Sequence, residues 1–567
     1  MTTIWHLPPE TLAHILGIYV DESTHLSRTV SIVSYNNNPS LSRPWLQVTW
    51  VCRYWRAVAL STPTLWSTIQ IFQRTQVDTI RASLYRSRQV PLNVYLNPYQ
   101  LTHCGDAVRY LLPSLTRARF LFINLSPYEI ESLLSSGQVP SSAPLLESLR
   151  VAAQNVNTAR GYGARYPPTS LFHNCTLPNL RELSISAPLQ LLWSEECLPR
   201  SLQRLTINCK MQSAEIPYVI RLISALPLLT YLNLSFNSLA IPSQHHATPT
   251  SDYPTPNRPP NLQQLCIAST RDPNAAVQLL ENLATTGQTS ITLHLRENAR
   301  NNFQALSPVL SSHLGANAVA DNHLHTVQAV SLSCTSVQFF TGKRNANPSE
   351  SLHNLNDVPS PDLDITFGHV GTYTARSLIL ELFPDLPLES VSHLTLRGLP
   401  LLCPSGSSRG TDFDSTTAWR RLFRTVPNVE TLVFTPGREQ DQLPEFTAGD
   451  FLTTLRCVAS TAAAAASNSA NNEESRDGLG ELALPVPVFP KLKRIVMDGI
   501  PFYDDWATEN DVSFVDEVIS GRRLMVEAGL NVDELEIRNC PMVNENDVTK
   551  LRMEESLSVL WDYGKKY

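Results

Sequence analysis

One short phrase recurs along much of the chain: apolar, any two residues, apolar, any one residue, apolar. It occurs at Leu146-Leu149-Val151, Leu180-Leu183-Ile185, Leu202-Leu205-Ile207, Leu229-Leu232-Leu234, Leu262-Leu265-Ile267, Val327-Val330-Leu332 and Val391-Leu394-Leu396. Later copies are Val429-Leu432-Phe434 (read with a one-residue slip at its third place), Leu492-Ile495-Met497 and Val532-Leu535-Ile537. The closing alternation has the period of a strand with one buried face. Proline precedes several copies, as in LPNL, LPLL, VPNV and FPKL, and stops whatever helix came before. Between copies the spacing turns helical. Ile216, Val219, Ile220 and Ile223 follow i, i+3, i+4, i+7, as do Ala276, Leu279, Leu280 and Leu283, and Trp419, Leu422, Phe423 and Val426. Strand, turn and helix in alternation predict an α/β fold of parallel strands with helices packed behind.

A doubly wound α/β sheet would give a similar alternation. The recurring phrase and the lack of a phosphate-binding glycine loop favour a repeat array instead. On these phrases the chain resembles an irregular leucine-rich-repeat protein. The resemblance implies a solenoid over 143–560, with parallel strands on its concave side and helices behind. In the two fullest copies the phrase closes on Asn237 and Cys540. An Asn there can satisfy backbone groups in the turn after the strand. Polar, Pro-rich or low-complexity stretches near 155–170, 243–260, 341–362 and 459–480 read as insertions between structural units.

The first 70 residues follow another pattern. Five of the nine Trp fall here: Trp5, Trp45, Trp50, Trp55 and Trp66. Three short helices are predicted. The first begins at Leu7-Pro8-Pro9-Glu10 and lines one face with Leu12, Ile15, Leu16 and Tyr19; a polar insertion, Asp21 to Pro44, follows. The second carries Trp45, Val48, Cys52, Trp55 and Ala59 on one stripe. Thr62, with Pro63 behind it, caps a third helix holding Leu65, Trp66 and Ile69. Helices this short bury too little to stand alone, so the array or another protein must cover them.

The pieces LPPETLAHIL (7–16), VTWVCRYWRAVA (48–59) and TPTLWSTI (62–69) occur in the order of an F-box, and this segment resembles one. Residues 71–142 then read as a linking helix and strand, with IRASLYRSRQVPLNVYL (80–96) similar to that junction in fungal members, and as the first atypical repeats. The resemblance implies docking on a Skp-type adaptor and, through it, on a cullin and a RING protein of a ubiquitin ligase. The adaptor-facing positions it implies are Leu7, Pro8, Leu12, Ile15, Leu16, Val51, Cys52, Trp55, Leu65 and Trp66. About a third of these should serve internal packing, Val51 and Ile15 foremost.

Composition adds exclusions. In 567 residues the net charge is −7, charged residues are 17% and no long basic stripe is present, which disfavours a dedicated nucleic-acid binder. The ten Cys never form C-x-x-C, so they read as reduced, mostly buried thiols of a protein of the cytoplasm, the nucleus or both. The N-terminus lacks the basic start of a signal peptide, and no apolar run reaches membrane-spanning length. No metal site, cofactor site or catalytic group is expected. Gly406-Ser407-Ser408-Arg409-Gly410 fits the nucleophile-elbow spacing, but a Pro/Ser/Gly turn is the plainer reading. His245-His246 reads as part of a solvated loop. The expected function is substrate recognition in the ligase, the repeat arc holding a protein substrate. The other reading is an interaction scaffold with no ligase role. In either case the residues between the buried strand positions should face the partner: Glu182, Ser184, Arg204, Asn208, Tyr231, Asn233, Arg494, Asp498, Glu536 and Arg538.

Overall fold

The computed structural model describes residues 7–29, 44–72, 75–98, 104–126, 129–130, 139–153, 175–187, 198–209, 216–236, 261–269, 273–283, 289–295, 303–320, 326–333, 336–341, 361–367, 382–397, 422, 424–435, 489, 491–500, 514–527, 530, 532–540, 543–554 and 556–562. The interiors of the four polar insertions, Trp5, Asn237, His245-His246, Gly406–Gly410, Trp419 and Phe423 lie outside them. The fold is mixed α/β with mostly parallel strands, in two compact units, Met1–Leu262 and Gln263–Tyr567. Among the described residues no helix is long and apolar enough to cross a membrane.

Unit one opens with α1 (Pro9–Thr29), a 3-10 turn (Pro44–Trp50), α2 (Arg53–Ser61) and a second 3-10 turn (Pro63–Trp66). Three boundaries differ from expectation. The second predicted helix is split: Trp45 and Val48 lie on the 3-10 turn, and Cys52 is the extended cap before α2. The first helix runs on through Asp21 to Thr29, so the polar insertion begins inside it. The third predicted helix is a single turn, and Ile69 sits on a strand, β1 (Thr68–Ile71). Thr62 makes no side-chain cap; its Oγ1 donates back to the Val58 carbonyl at 2.7 Å.

Next come α3 (Val77–Ser87), β2 (Leu92–Leu96), α4 (Gly105–Leu111), a 3-10 turn (Leu112–Arg117), β3 (Ala118–Leu125), β4 (Ser148–Ala153), β5 (Glu182–Ala187), β6 (Arg204–Cys209), α5 (Ile216–Ser224) and β7 (Tyr231–Phe236). Strands β1 to β7 pair in chain order and all in parallel. A doubly wound sheet reverses its strand order at a switch point, and none occurs among these described strands. The phrase residues stack in register, Leu149 against Leu183, Leu205 and Leu232, and all four are buried.

The backbone repeats with the sequence. The N–H of each leading phrase residue bonds the carbonyl three residues back: Leu146 to Ala143, Leu180 to Leu177, Leu202 to Pro199 and Leu229 to Leu226. The carbonyl just before each strand then accepts two N–H groups of the next repeat. Glu147 takes Arg181 and Glu182, Arg181 takes Gln203 and Arg204, and Gln203 takes Thr230 and Tyr231, at 2.8–3.1 Å. Asn179 and Asn261 add a stitch, donating from Nδ2 to the carbonyls of Pro144 and Pro227 in the preceding turn.

Unit two repeats the same devices. Its strands are β8 (Gln264–Ser269), β9 (Ser290–Leu295), β10 (Val327–Ser333), β11 (Ser336–Thr341), β12 (Leu363–Phe367), β13 (His393–Arg397), β14 (Thr431–Thr435), β15 (Arg494–Asp498), β16 (Glu534–Arg538) and β17 (Ser558–Trp561). Its helices are α6 (Pro273–Leu283), α7 (Phe303–Ala320), α8 (Phe514–Glu527) and α9 (Glu545–Arg552). Ser392, Glu430 and Lys493 each accept two N–H groups of the following repeat, and Asn428 Nδ2 stitches to Glu389. Leu432 and Phe434 stand opposite Leu394 and Leu396, so the expected slip in that copy is absent.

Strand order departs from chain order once. β12 pairs with β9 and β10 with β13, both in parallel, while β11 lies antiparallel between β10 and β12. The polar stretch 341–362 is thus the connection of an antiparallel pair inside a parallel array. Phe339 of β11 is fully buried, its ring centroid 6.1 Å from that of Phe383.

Candidate functional site

The N-terminal helical module has a core cluster of its own. Leu12, Leu16 and Val20 recur every four residues on α1 and meet Val58 and Ala59 of α2 and then Leu65 and Trp66. Polar ties fix the pieces. The Cys52 thiol accepts the Trp55 N–H at 3.3 Å, and the Tyr54 hydroxyl donates to the Leu7 carbonyl at 2.6 Å. The Trp66 indole donates to the Ala59 carbonyl at 2.8 Å, and the Arg86 guanidinium lies 4.2 Å from the centre of the Trp66 ring.

This reverses part of the expected assignment. Leu12, Leu16, Leu65 and Trp66 are buried inside the module and present nothing to a partner. Ile15 and Val51, expected to pack internally, are exposed, Val51 by 58%. The reason is geometric: α1 carries two apolar stripes, and packing on α2 and the 44–50 turn takes the one with Leu12, Leu16 and Val20. Tyr19, read on one face with Leu12, Ile15 and Leu16, stands out with Ile15 and Ile18 while Leu12 and Leu16 are buried. Trp50, 76% exposed, and Leu60 join the outer set; neither they nor Ile18 are among the adaptor-facing positions the resemblance implies. The i, i+3, i+4 spacing of Ile15, Ile18 and Tyr19 was the available signal. Leu7, Cys52 and Trp55 are half-buried and Pro8 is exposed. The Trp55 indole N–H is shielded from solvent and has no acceptor among the described residues.

A second surface lies on the outward side of β1 to β7, where alternation turns every other side chain away from the buried rows. Register aligns these side chains across the strands. One row runs Thr68, Asn93, Phe120, Ser148, Glu182, Arg204, Tyr231; the next runs Gln70, Tyr95, Phe122, Arg150, Ser184, Thr206, Asn233. Arg204 and Asn208 are exposed, and Glu182, Ser184, Tyr231 and Asn233 half-exposed, on the side expected. The sequence reading stopped short of β2 and β3, whose Tyr95, Phe120 and Phe122 form an aromatic cluster with centroids 5.0 and 6.3 Å from Tyr95.

On unit two, β15 and β16 carry an ion cluster among their own side chains. Glu536 receives Arg538 Nε at 2.5 Å and Arg494 Nη2, while Arg494 Nε lies 3.4 Å from Glu534. Burial alone would raise the Glu536 pKa, but hydrogen bonds from Arg538 and Arg494 and their charges hold it below the usual carboxylate range. Glu536 and Arg538, expected to face a substrate, are 8% and 7% exposed. They are corrected from contact residues to a structural ion cluster. Alternation places them outward as read; their own pairing seals them. Arg494 and Asp498 are half-buried, and Asp498 accepts Asn539 Nδ2 at 3.0 Å.

No cluster of three or more metal-ligating side chains occurs among the described residues. Burial pushes the thiols of Cys104 and Cys266 up to about 11 and that of Cys540 up to about 12, reinforced by Glu129, Asp364 and Asp498 respectively. All three should therefore escape iodoacetamide at pH 8 in the native protein and react in urea, as read by peptide mass spectrometry. The chain matches no model of a known protein family, and it matches no curated protein.

Proposed function

We propose that this chain is the substrate-recognition subunit of a Skp/cullin/F-box ubiquitin ligase, working in the cytoplasm or the nucleus and catalysing nothing itself. In this reading the N-terminal module, which resembles an F-box, docks on a Skp-type adaptor. The strand arrays, which resemble leucine-rich repeats, hold a protein substrate. The observation that carries the proposal is a set of apolar side chains left exposed by a module that buries its own core cluster. Ile15, Ile18, Tyr19, Trp50, Val51 and Leu60 are exposed on elements that pack together. Large apolar and aromatic side chains of this kind form the anchors of protein interfaces.

The test is capture of a purified Skp-type adaptor by the full chain beside an Ile15→Asp/Val51→Asp double variant. Sub-micromolar binding by wild type, weakened at least a hundredfold in the variant with its circular dichroism unchanged, is the expected result. No binding by well-folded wild type would leave a repeat-based interaction scaffold without a ligase role.

A further inference from the structure

The outward face of unit one offers charge and rings in an unequal arrangement. Its acid, Glu182, is spent: Oε1 accepts Arg150 Nη2 at 2.8 Å and Oε2 accepts the Ser148 hydroxyl at 3.1 Å. Beside it, Arg204 is exposed and pairs with no carboxylate among the described residues; its guanidinium instead lies 4.3 Å from the centre of the Tyr231 ring. The strand register sets Arg204 directly opposite Glu182, yet the arginine takes the ring. Arg150, already holding Glu182, also sits 5.7 Å from the Phe120 ring. Further along the same rows come the half-exposed rings of Phe120, Phe122 and Tyr95. Arginine and large aromatic rings are the residue types that dominate binding at protein interfaces. A guanidinium already held flat against a ring loses less side-chain freedom on meeting a carboxylate.

We infer that this face docks an acidic polypeptide segment carrying a large apolar side chain. A carboxylate of the segment meets Arg204, and the apolar side chain lies on the Tyr95–Phe120–Phe122 cluster, which the register places three to four strands away. At about 4.8 Å between neighbouring strands that separation is about 14–19 Å. An extended segment of about five or six residues spans it. Charge complementarity selects the acid, because the face's own carboxylate is satisfied and Arg204 meets no carboxylate among the described residues. A nucleic acid fits less well: binding to it draws on several phosphate-neutralising cations, and the whole chain carries a net charge of −7. The inference rests on the reading of the arrays as the substrate-holding part.

The experiment uses the full chain and a fluorescein-labelled twelve-residue peptide of Asp, Glu, Gly and Ser with one Phe set five residues from an acidic pair. Fluorescence anisotropy should show saturable binding that weakens at least tenfold with Arg204→Glu. It should weaken at least fivefold when the peptide's Phe becomes Ala, and should weaken as salt rises. Arg204 is exposed, so the variant should keep its circular dichroism and melting temperature. A second variant, Phe122→Ala, should lose the preference for Phe over Ala in the peptide. Absent binding overturns the inference, as does equal binding to Arg204→Glu or tighter binding of a lysine-substituted peptide or of oligouridine. Adaptor capture separates the two readings. Failure with the peptide while the adaptor is still captured removes this inference alone. Peptide binding without adaptor capture keeps the face and removes the ligase role.

Discussion

Replacing Glu536 by Ala should destabilise unit two by about 3–5 kcal/mol, because it leaves buried positive charge without its partner. Arg538 is the group most affected. Its side chain is 8% exposed, and its Nε is held by Glu536 Oε1. Arg494 keeps Glu534 at 3.4 Å and is more exposed, so it loses less. Swapping the pair for apolar residues of similar volume, Glu536→Leu with Arg538→Met, should recover most of the loss, since no charge is then buried alone. Urea unfolding followed by circular dichroism checks both. A single variant as stable as wild type would mean that water reaches Arg538. The same cluster sets an acid limit. The folded-state pKa of Glu536 lies below its ordinary value of 4.5, so its contribution is complete above that pH and is lost as pH falls through the folded value.

Lowering the pH from 7 to 4 should cost unit two about 3 kcal/mol through His313 alone. This histidine lies on α7 and is 9% exposed. Burial pulls its pKa from 6.5 down to about 4, although Asp362 and a hydrogen bond to the Thr289 backbone pull the other way. The folded pKa is depressed, so the unfolded chain binds the proton first. Stability is therefore whole above 6.5 and falls as pH drops towards 4. Ser307 on the same helix occupies Asp385 at 3.0 Å, so that carboxylate is already engaged. His313→Gln should flatten the slope of stability between pH 4 and 6.5, and an unchanged slope would assign the acid sensitivity elsewhere.

The strand phrase was readable because burying both of its last apolar residues requires the period of a strand. That requirement is local and survives the irregular spacing. Strands β9, β11 and β12 were missed for two reasons. SITLHL, SVQFFT and LDITF lack the leading Leu, and the reversed order of β10 to β12 is decided by pairing partners far apart in sequence. The Pro-Asn-apolar run at 178–180, 260–262 and 427–429 is visible in the sequence and marks the inter-repeat stitches, whereas the expected turn residues lie at the far end of the phrase. There the residue after β16 is Asn539 and that after β15 is Gly499, both at positive φ, and the Cys540 thiol points to the Met497 carbonyl. In the helical module composition and order were legible, but the choice between two apolar stripes on one helix belongs to the packing of other elements. Outward strand positions were likewise legible as a parity. Parity could not tell an exposed residue such as Arg204 from a sealed one such as Arg538.

Only Ser67 separates the last turn of the N-terminal module from the first strand of the array. The joint is further locked by the Trp66 indole bond and the stacked Arg86. The two parts therefore behave as a bracket rather than as beads on a string. Six inter-strand steps of about 4.8 Å put β7 about 29 Å from β1 along the sheet. A ligand on that sheet would be held at a set bearing from one on the helices, with the local concentration of one at the other fixed by the covalent chain, not by diffusion. Lengthening the joint with a flexible Gly/Ser segment after Ser67 would leave both surfaces intact and still disconnect their geometry.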